Sequence, residues 1–295
     1  MVSPGLCSLC RSNQTPDKKL FTNTWIAGKE RVPLSYLIYR WVLTILTFLF
    51  FSESFFTRVI QDSDWRYWLY LATWSRLLAL LHYTLDSLLV TARLRREFKG
   101  QVELSLSENY GSSGENYASS SSPLPPLYRT LWILANINCT VSLVSSLVYW
   151  PFFYQVGVHP LDMQNLSGHA VITLINLIDI FISDRPWRLL HAFHSQLFCL
   201  VYALTNFAYI EEEGTAIYSS NYMYSILDWS DPTQCLLTVL GLSVLIPVIH
   251  LFFFILYKFR CLLTRLGRRQ DQCKLEIELH KIQLRDRRIQ QQDKP

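Results

Sequence analysis

The sequence predicts an all-α integral membrane protein, a bundle of six transmembrane helices with both termini in the cytosol. Three observations lead there. Half of the 295 residues are apolar and only 17% are charged, against roughly 25% charged in soluble domains. The apolar residues gather into runs long enough, as helices, to cross a hydrocarbon core about 30 Å thick. Lys and Arg alternate between successive connecting segments, as membrane orientation requires.

Residues 1–33 are polar and hold Lys18, Lys19, Lys29 and Arg31. They lack the short apolar core of a cleavable leader, so the first apolar run is expected to be an uncleaved anchor. The membrane domain then covers 34–257. Its first span is 34–51, LSYLIYRWVLTILTFLFF. The second, 68–90, carries Thr73, Arg76, His82 and Asp86. The third, 131–153, closes on Trp150-Pro151, and the fourth is 168–182. Ser183-Asp184-Arg185-Pro186 turns the chain tightly into the fifth span, 189–210, and the sixth is 235–257. Spans two and four are the most polar, which helices shielded by neighbours tolerate. Between spans two and three, the 100–126 segment contains ENYGSSGENYASSSSPLPP. It is Ser-rich and aperiodic, and reads as a disordered cytosolic loop. The charged cytosolic tail, 258–295, mixes signs at helical spacing and reads as a solvated or membrane-surface helix.

With the N-terminus inside, segments 1–33, 91–128, 183–188 and 258 onward hold most of the cations, among them Arg93, Arg95, Arg96, Lys99, Arg185 and Arg188. The outside segments, near 52–67, 154–167 and 211–234, offer only Arg58 and Arg66, beside Glu211, Glu212, Glu213, Asp228 and Asp231. This clustering fits orientation and not nucleic-acid binding, since no basic stripe with interleaved aromatics appears. Asn165-Leu166-Ser167 is a glycosylation pattern in an outside segment. Asn138-Cys139-Thr140 lies within span three, and Asn13-Gln14-Thr15 on the cytosolic side.

No cofactor or metal is expected. The seven cysteines lie mostly in apolar runs or cytosolic segments, where thiols stay reduced. Cys7-Ser-Leu-Cys10 has metal-like spacing without a second half. His191 and His194 lack a carboxylate or cysteine at ligand spacing. No nucleotide-binding or metalloprotease motif occurs.

Polar residues at membrane depth are the candidate site. His169, Thr173 and Asn176 fall within roughly 60° on one face of the fourth span, with Asp179 about 80° from His169. They read either as helix glue, worth about 1 kcal/mol per interhelical hydrogen bond, or as the wall of a polar pocket. His82 and Asp86, four apart, can satisfy one another. Mid-span Arg76 needs a carboxylate, carbonyls or water.

From the fourth span onward, the runs HAVITLINLIDIFISDRPWRLLHAFH and YSILDWSDPTQCLL, together with YLATW in span two, resemble the rolling stone family of multi-pass membrane proteins. The recognisable pieces are the His-led fourth span, Arg188-Leu189-Leu190-His191 after the Arg-Pro turn, and Tyr-x-x-Leu-Asp-Trp-x-x-Pro before the last span. The resemblance implies a role in cell–cell contact of the myoblast-fusion type at the plasma membrane. Its partners would be membrane lipid and another membrane protein. The family is more distantly similar to androgen-induced hydrolases of fatty-acid esters, which use an intramembrane Thr nucleophile and a His base. That similarity implies an alternative, lipid-ester hydrolysis with His169 as base and Thr73 as nucleophile. An ungapped match, however, sets Ala72 at the nucleophile position, and one residue turns a side chain by about 100°.

Overall fold

The computed structural model describes residues 18–22, 24, 32–108, 124–154, 161–212 and 224–292. Cys7, Cys10, Asn13 and residues 109–123 of the Ser-rich loop lie outside the described residues. The chain divides into two compact units, Met1–Phe254 and Ile255–Pro295.

The described residues are helical apart from turns and one isolated bridge. Helix α1 spans Leu34–Phe55 and continues into a π-helical turn, Phe56–Gln61. Helix α2 spans Leu71–Glu108, and α3 Pro126–Phe152. A fourth rod is built from α4, Met163–Leu166, a π-helical turn, Ser167–Val171, and α5, Ile172–Ile182. Helix α6 spans Ala192–Glu211, and α7 runs from Pro232 to Gln292.

Five of these rods are long and apolar enough to cross a membrane: Leu34–Gln61, Leu71–Gly100, Pro126–Phe152, Met163–Ile182 and Pro232–Gly267. The remaining helix, α6, has the length, since its 20 residues extend about 30 Å. His194, Gln196, Thr205 and Asn206 make it more polar than the other five.

The helix ends follow local chemistry. Pro33 and Pro125 precede α1 and α3 with fixed φ. Pro151 stands one residue before α3 ends, because its ring cannot continue a helical ladder. Residues 65–69 form a 3-10 turn, so α2 begins three residues later than the expected span. Helix α2 also continues to Glu108, into the stretch expected to be loop. Helix α7 passes without a break into the expected tail, whose Arg, Gln, Glu, Leu and Lys are good helix formers.

The lateral surface is far more apolar than that of a water-soluble bundle. In α1 the buried residues are Tyr36, Arg40, Leu43, Thr44, Thr47, Phe50 and Ser54, one face at three-to-four spacing. Ile38, Val42, Ile45 and Leu49 stand exposed. Leu197, Leu204, Leu237 and Val244 repeat this on α6 and α7. Continuous exposed apolar faces, around an interior that mixes apolar clusters with buried polar side chains, suit lipid and not water.

Contacts gather the connecting segments at two ends. At one, Thr24 bridges Ser183 and donates to the Ile182 carbonyl at 2.7 Å. There too, the Val32 amide donates to Glu97, Phe21 packs on Tyr128 and Trp132, and Trp132 Nε1 donates to the Pro186 carbonyl. At the other end Arg58 donates to Gln164, the Leu71 amide to the Tyr224 hydroxyl, and Trp229 to Asn206. Segments whose charge the sequence assigns to one side thus meet at one end.

Candidate functional site

Two polar features occupy the bundle interior. The first is a buried ion cluster joining α1, α2, α5 and the turn after α5. Arg40 Nη1 lies 2.6 Å from Asp179 Oδ1 and 3.1 Å from Asp86 Oδ2. Arg185 Nη2 reaches the same Asp86 oxygen at 2.6 Å, and its Nη1 reaches His82 Nε2 at 2.7 Å. A guanidinium only donates, so His82 Nε2 accepts, which a neutral imidazole can do. Two arginines face two carboxylates, and their charges cancel where uncompensated charge would be most costly. Burial disfavours the charged form of Arg185, yet Asp86 and Asp179 more than offset that and hold its pKa above the usual arginine value. Tyr36 and Tyr39 complete the cluster through hydrogen bonds to Arg40 and Asp179 respectively.

The cluster continues as a chain of neutral hydrogen bonds toward the opposite end. Beside His82, Asn138 Nδ2 donates to Asn176 Oδ1 at 2.9 Å. Asn176 accepts from Tyr83 and donates to Ser142, while Thr173 donates to the Ser142 carbonyl and bonds Ser146. Thr173, Asn176 and Asp179, the expected polar face, therefore fasten α5 to α1, α2 and α3. Among the described residues it is Arg185 that joins His82 to Asp86, in place of a direct bond between the two.

The second feature is a cavity of about 100 Å³ between α3, the His169 turn, α6 and α7. His169 sits in the π-helical turn Ser167–Val171, a local widening that re-aims a side chain. Its ring stacks on Tyr149 at 3.7 Å between centroids, nearly parallel, and its Nδ1 lies 2.9 Å from Ser145 Oγ. His169, Tyr149 and Ser145 all line the cavity, as do the more apolar Val144, Leu200 and Ala203. An imidazole nitrogen within hydrogen-bond reach of a hydroxyl beside an apolar space can accept that hydroxyl's proton.

Gly168 allows this turn to approach α2. A Cβ there would meet Arg76 Nη2 at 2.6 Å and Ala72 Cβ at 3.4 Å. Arg76 finds its acceptors in the Gln164 carbonyl and Ser167. Thr73 is buried but does not line the cavity; its hydroxyl donates to the Tyr67 carbonyl at 2.7 Å. His191 and His194 pack edge-on against each other, with His191 also against Trp132.

A family model described as "Protein rolling stone" matches residues 17–268. The chain belongs to the rolling stone family. It is 25% identical over 239 residues to "Protein rolling stone" of Drosophila melanogaster, covering 80% of this chain and 82% of that one. No solved structure matches. The matched region of this rolling stone family member takes in both the ion cluster and the cavity.

Several interior residues were not singled out in sequence. Arg40 was the sole charge in the first apolar run, a detectable signal. Arg185 reads as a cytosolic anchoring charge but is buried on Asp86. Asn138 reads as part of a glycosylation pattern, and Ser145 as one small polar residue in an apolar run, with nothing to tie it to His169.

Proposed function

We propose that this rolling stone family member crosses the plasma membrane six times with both termini cytosolic and organises membranes at cell–cell contacts, as in myoblast fusion. Family membership over residues 17–268 carries this reading. The apolar lateral faces, the neutral ion cluster and the gathering of like-charged segments at one end support it. The segment 211–234 would then present Glu211, Glu212 and Asp228 outside. Membrane-impermeant label on intact cells is expected to reach that segment. Glu211→Lys with Glu212→Lys should lower cell–cell content mixing in a fusion-competent line without lowering surface abundance. A protected segment, or unchanged mixing, contradicts the role.

A second reading, hydrolysis of a lipid ester, is favoured by the hydroxyl–imidazole pair at the cavity. His169 would take the hydroxyl proton as the oxygen attacks the ester carbonyl. The alcohol would leave with that proton, and water would then release the fatty acid from the acyl-enzyme. Thr73 was the expected nucleophile, and Ser145 is the hydroxyl bonded to His169. Purified protein should lose about 10²–10⁴-fold of any turnover on His169→Ala. Ser145→Ala and Thr73→Ala separate the two nucleophiles. Equal rates in all three variants and the parent would remove this reading.

A further inference from the structure

We infer that the cavity beside His169 binds one neutral, single-chain lipid, with its hydroxyl or carbonyl head inside and its chain trailing into the bilayer past α6. The inference concerns binding and holds with or without turnover there.

The first observation is size and entrance. About 100 Å³ is on the scale of an engineered apolar cavity of about 150 Å³ that takes up one benzene. It admits a small head and a few carbons, not a phospholipid headgroup with two chains. Leu200 lines the cavity yet is 49% exposed, and it stands midway along α6 between the exposed Leu197 and Leu204. The entrance is thus lateral, among lipid-compatible residues at mid-helix.

The second observation is charge. No Lys, Arg, Asp or Glu among the described residues lines the cavity. A phosphate or carboxylate head would enter without a countercharge, and desolvation would exclude it. Neutral hydrogen-bonding heads remain.

The third is unmet hydrogen bonding. Tyr149 Oη and Gln196 Oε1 are buried without a partner among the described residues, and both residues line the cavity. A buried polar atom left unpaired is destabilising. One is a phenol able to donate and the other an amide oxygen able only to accept. An alcohol head can accept from the first and donate to the second, while an ester carbonyl can accept from the first. An alkane can do neither.

The test uses the full chain in phosphatidylcholine nanodiscs with a clickable, diazirine-bearing long-chain alcohol, which cannot be hydrolysed. The matching carboxylic acid and a diazirine phosphatidylcholine serve as comparisons. The alcohol should cross-link peptides holding Tyr149 and Gln196, and unlabelled alcohol should compete. Ala203→Trp, which fills the cavity near its entrance, should lower that cross-linking by about tenfold. Label on the outward residues Leu237 and Val244 should stay unchanged. Tyr149→Phe with Gln196→Leu should remove the preference for the alcohol over a matching clickable diazirine alkane while the acid stays excluded, which keeps the inference testable if the tryptophan variant misfolds. Cross-links confined to outward faces, insensitivity to both sets of variants, or equal cavity labelling by acid or phosphatidylcholine would overturn it. Binding without ester turnover would leave this inference standing while removing hydrolysis.

Discussion

Arg40 carries a permanent positive charge into an otherwise apolar stretch of α1, and its guanidinium is fully buried against Asp86 and Asp179. Removing one member of such a group leaves another charged and unpaired in a low-dielectric interior. Arg40→Ala is therefore expected to destabilise the folded chain by about 3–5 kcal/mol, and Arg40→Met combined with Asp179→Leu by much less. Thermal unfolding in detergent measures both, and equal losses would show that the pair is not coupled. Gly168 has a tighter steric limit, because a methyl group there collides with an arginine already committed to Gln164 and Ser167. Gly168→Ala should cost about 1–3 kcal/mol in the same measurement, while Gly241→Ala, which meets nothing nearby, should not destabilise. At this scale the sequence was half legible. Asp86, Asp179, Asn176 and His169 stood out as polar residues in apolar runs. Their partners did not, because Arg40 and Asp179 are 139 residues apart, and one-dimensional periodicity holds no information on which helices become neighbours.

Helix α5 illustrates the middle scale. Thr173, Asn176 and Asp179 recur at three-residue spacing, and that face alone predicted a buried polar side. It is buried, with Thr173 and Asn176 bonded to α3 and Asp179 to α1. Inserting one alanine between Val171 and Ile172 would leave His169 in its turn and rotate the downstream face by about 100°. The bonds of Asp179 and Asn176 would be lost together. Such an insertion should destabilise by at least about 3 kcal/mol, read as loss of the folded species in size-exclusion chromatography. A monodisperse, stable insertion variant would show that α5 is not held by that face. The helix ends were less legible than the helices. The π-helical turn at Ser167–Val171 brings Gly168 close against Arg76, a tertiary contact that local sequence does not encode. The extension of α2 to Glu108 places helix in sequence that composition alone assigned to loop.

For the whole molecule, the central claim is that apolar faces meet lipid and the connecting segments sort to two opposite sides. Residues 20–22 and 24 and segments 91–100, 124–128 and 183–188 meet at one end, and 58–70, 161–167 and 224–231 at the other. Charge alternation made this division visible in the sequence. Which helices close the cavity was not visible, because its wall draws on α2, α3, the His169 turn, α6, the 224–227 segment and α7, which are far apart in sequence. The most direct measurement is single-cysteine accessibility in intact cells, in a background with the native cysteines replaced. Asp62→Cys and Ser230→Cys should react with an impermeant maleimide from outside. Arg96→Cys and Leu127→Cys should react only after permeabilisation. Equal labelling of all four positions before permeabilisation would contradict a chain whose two ends lie on opposite sides of a membrane.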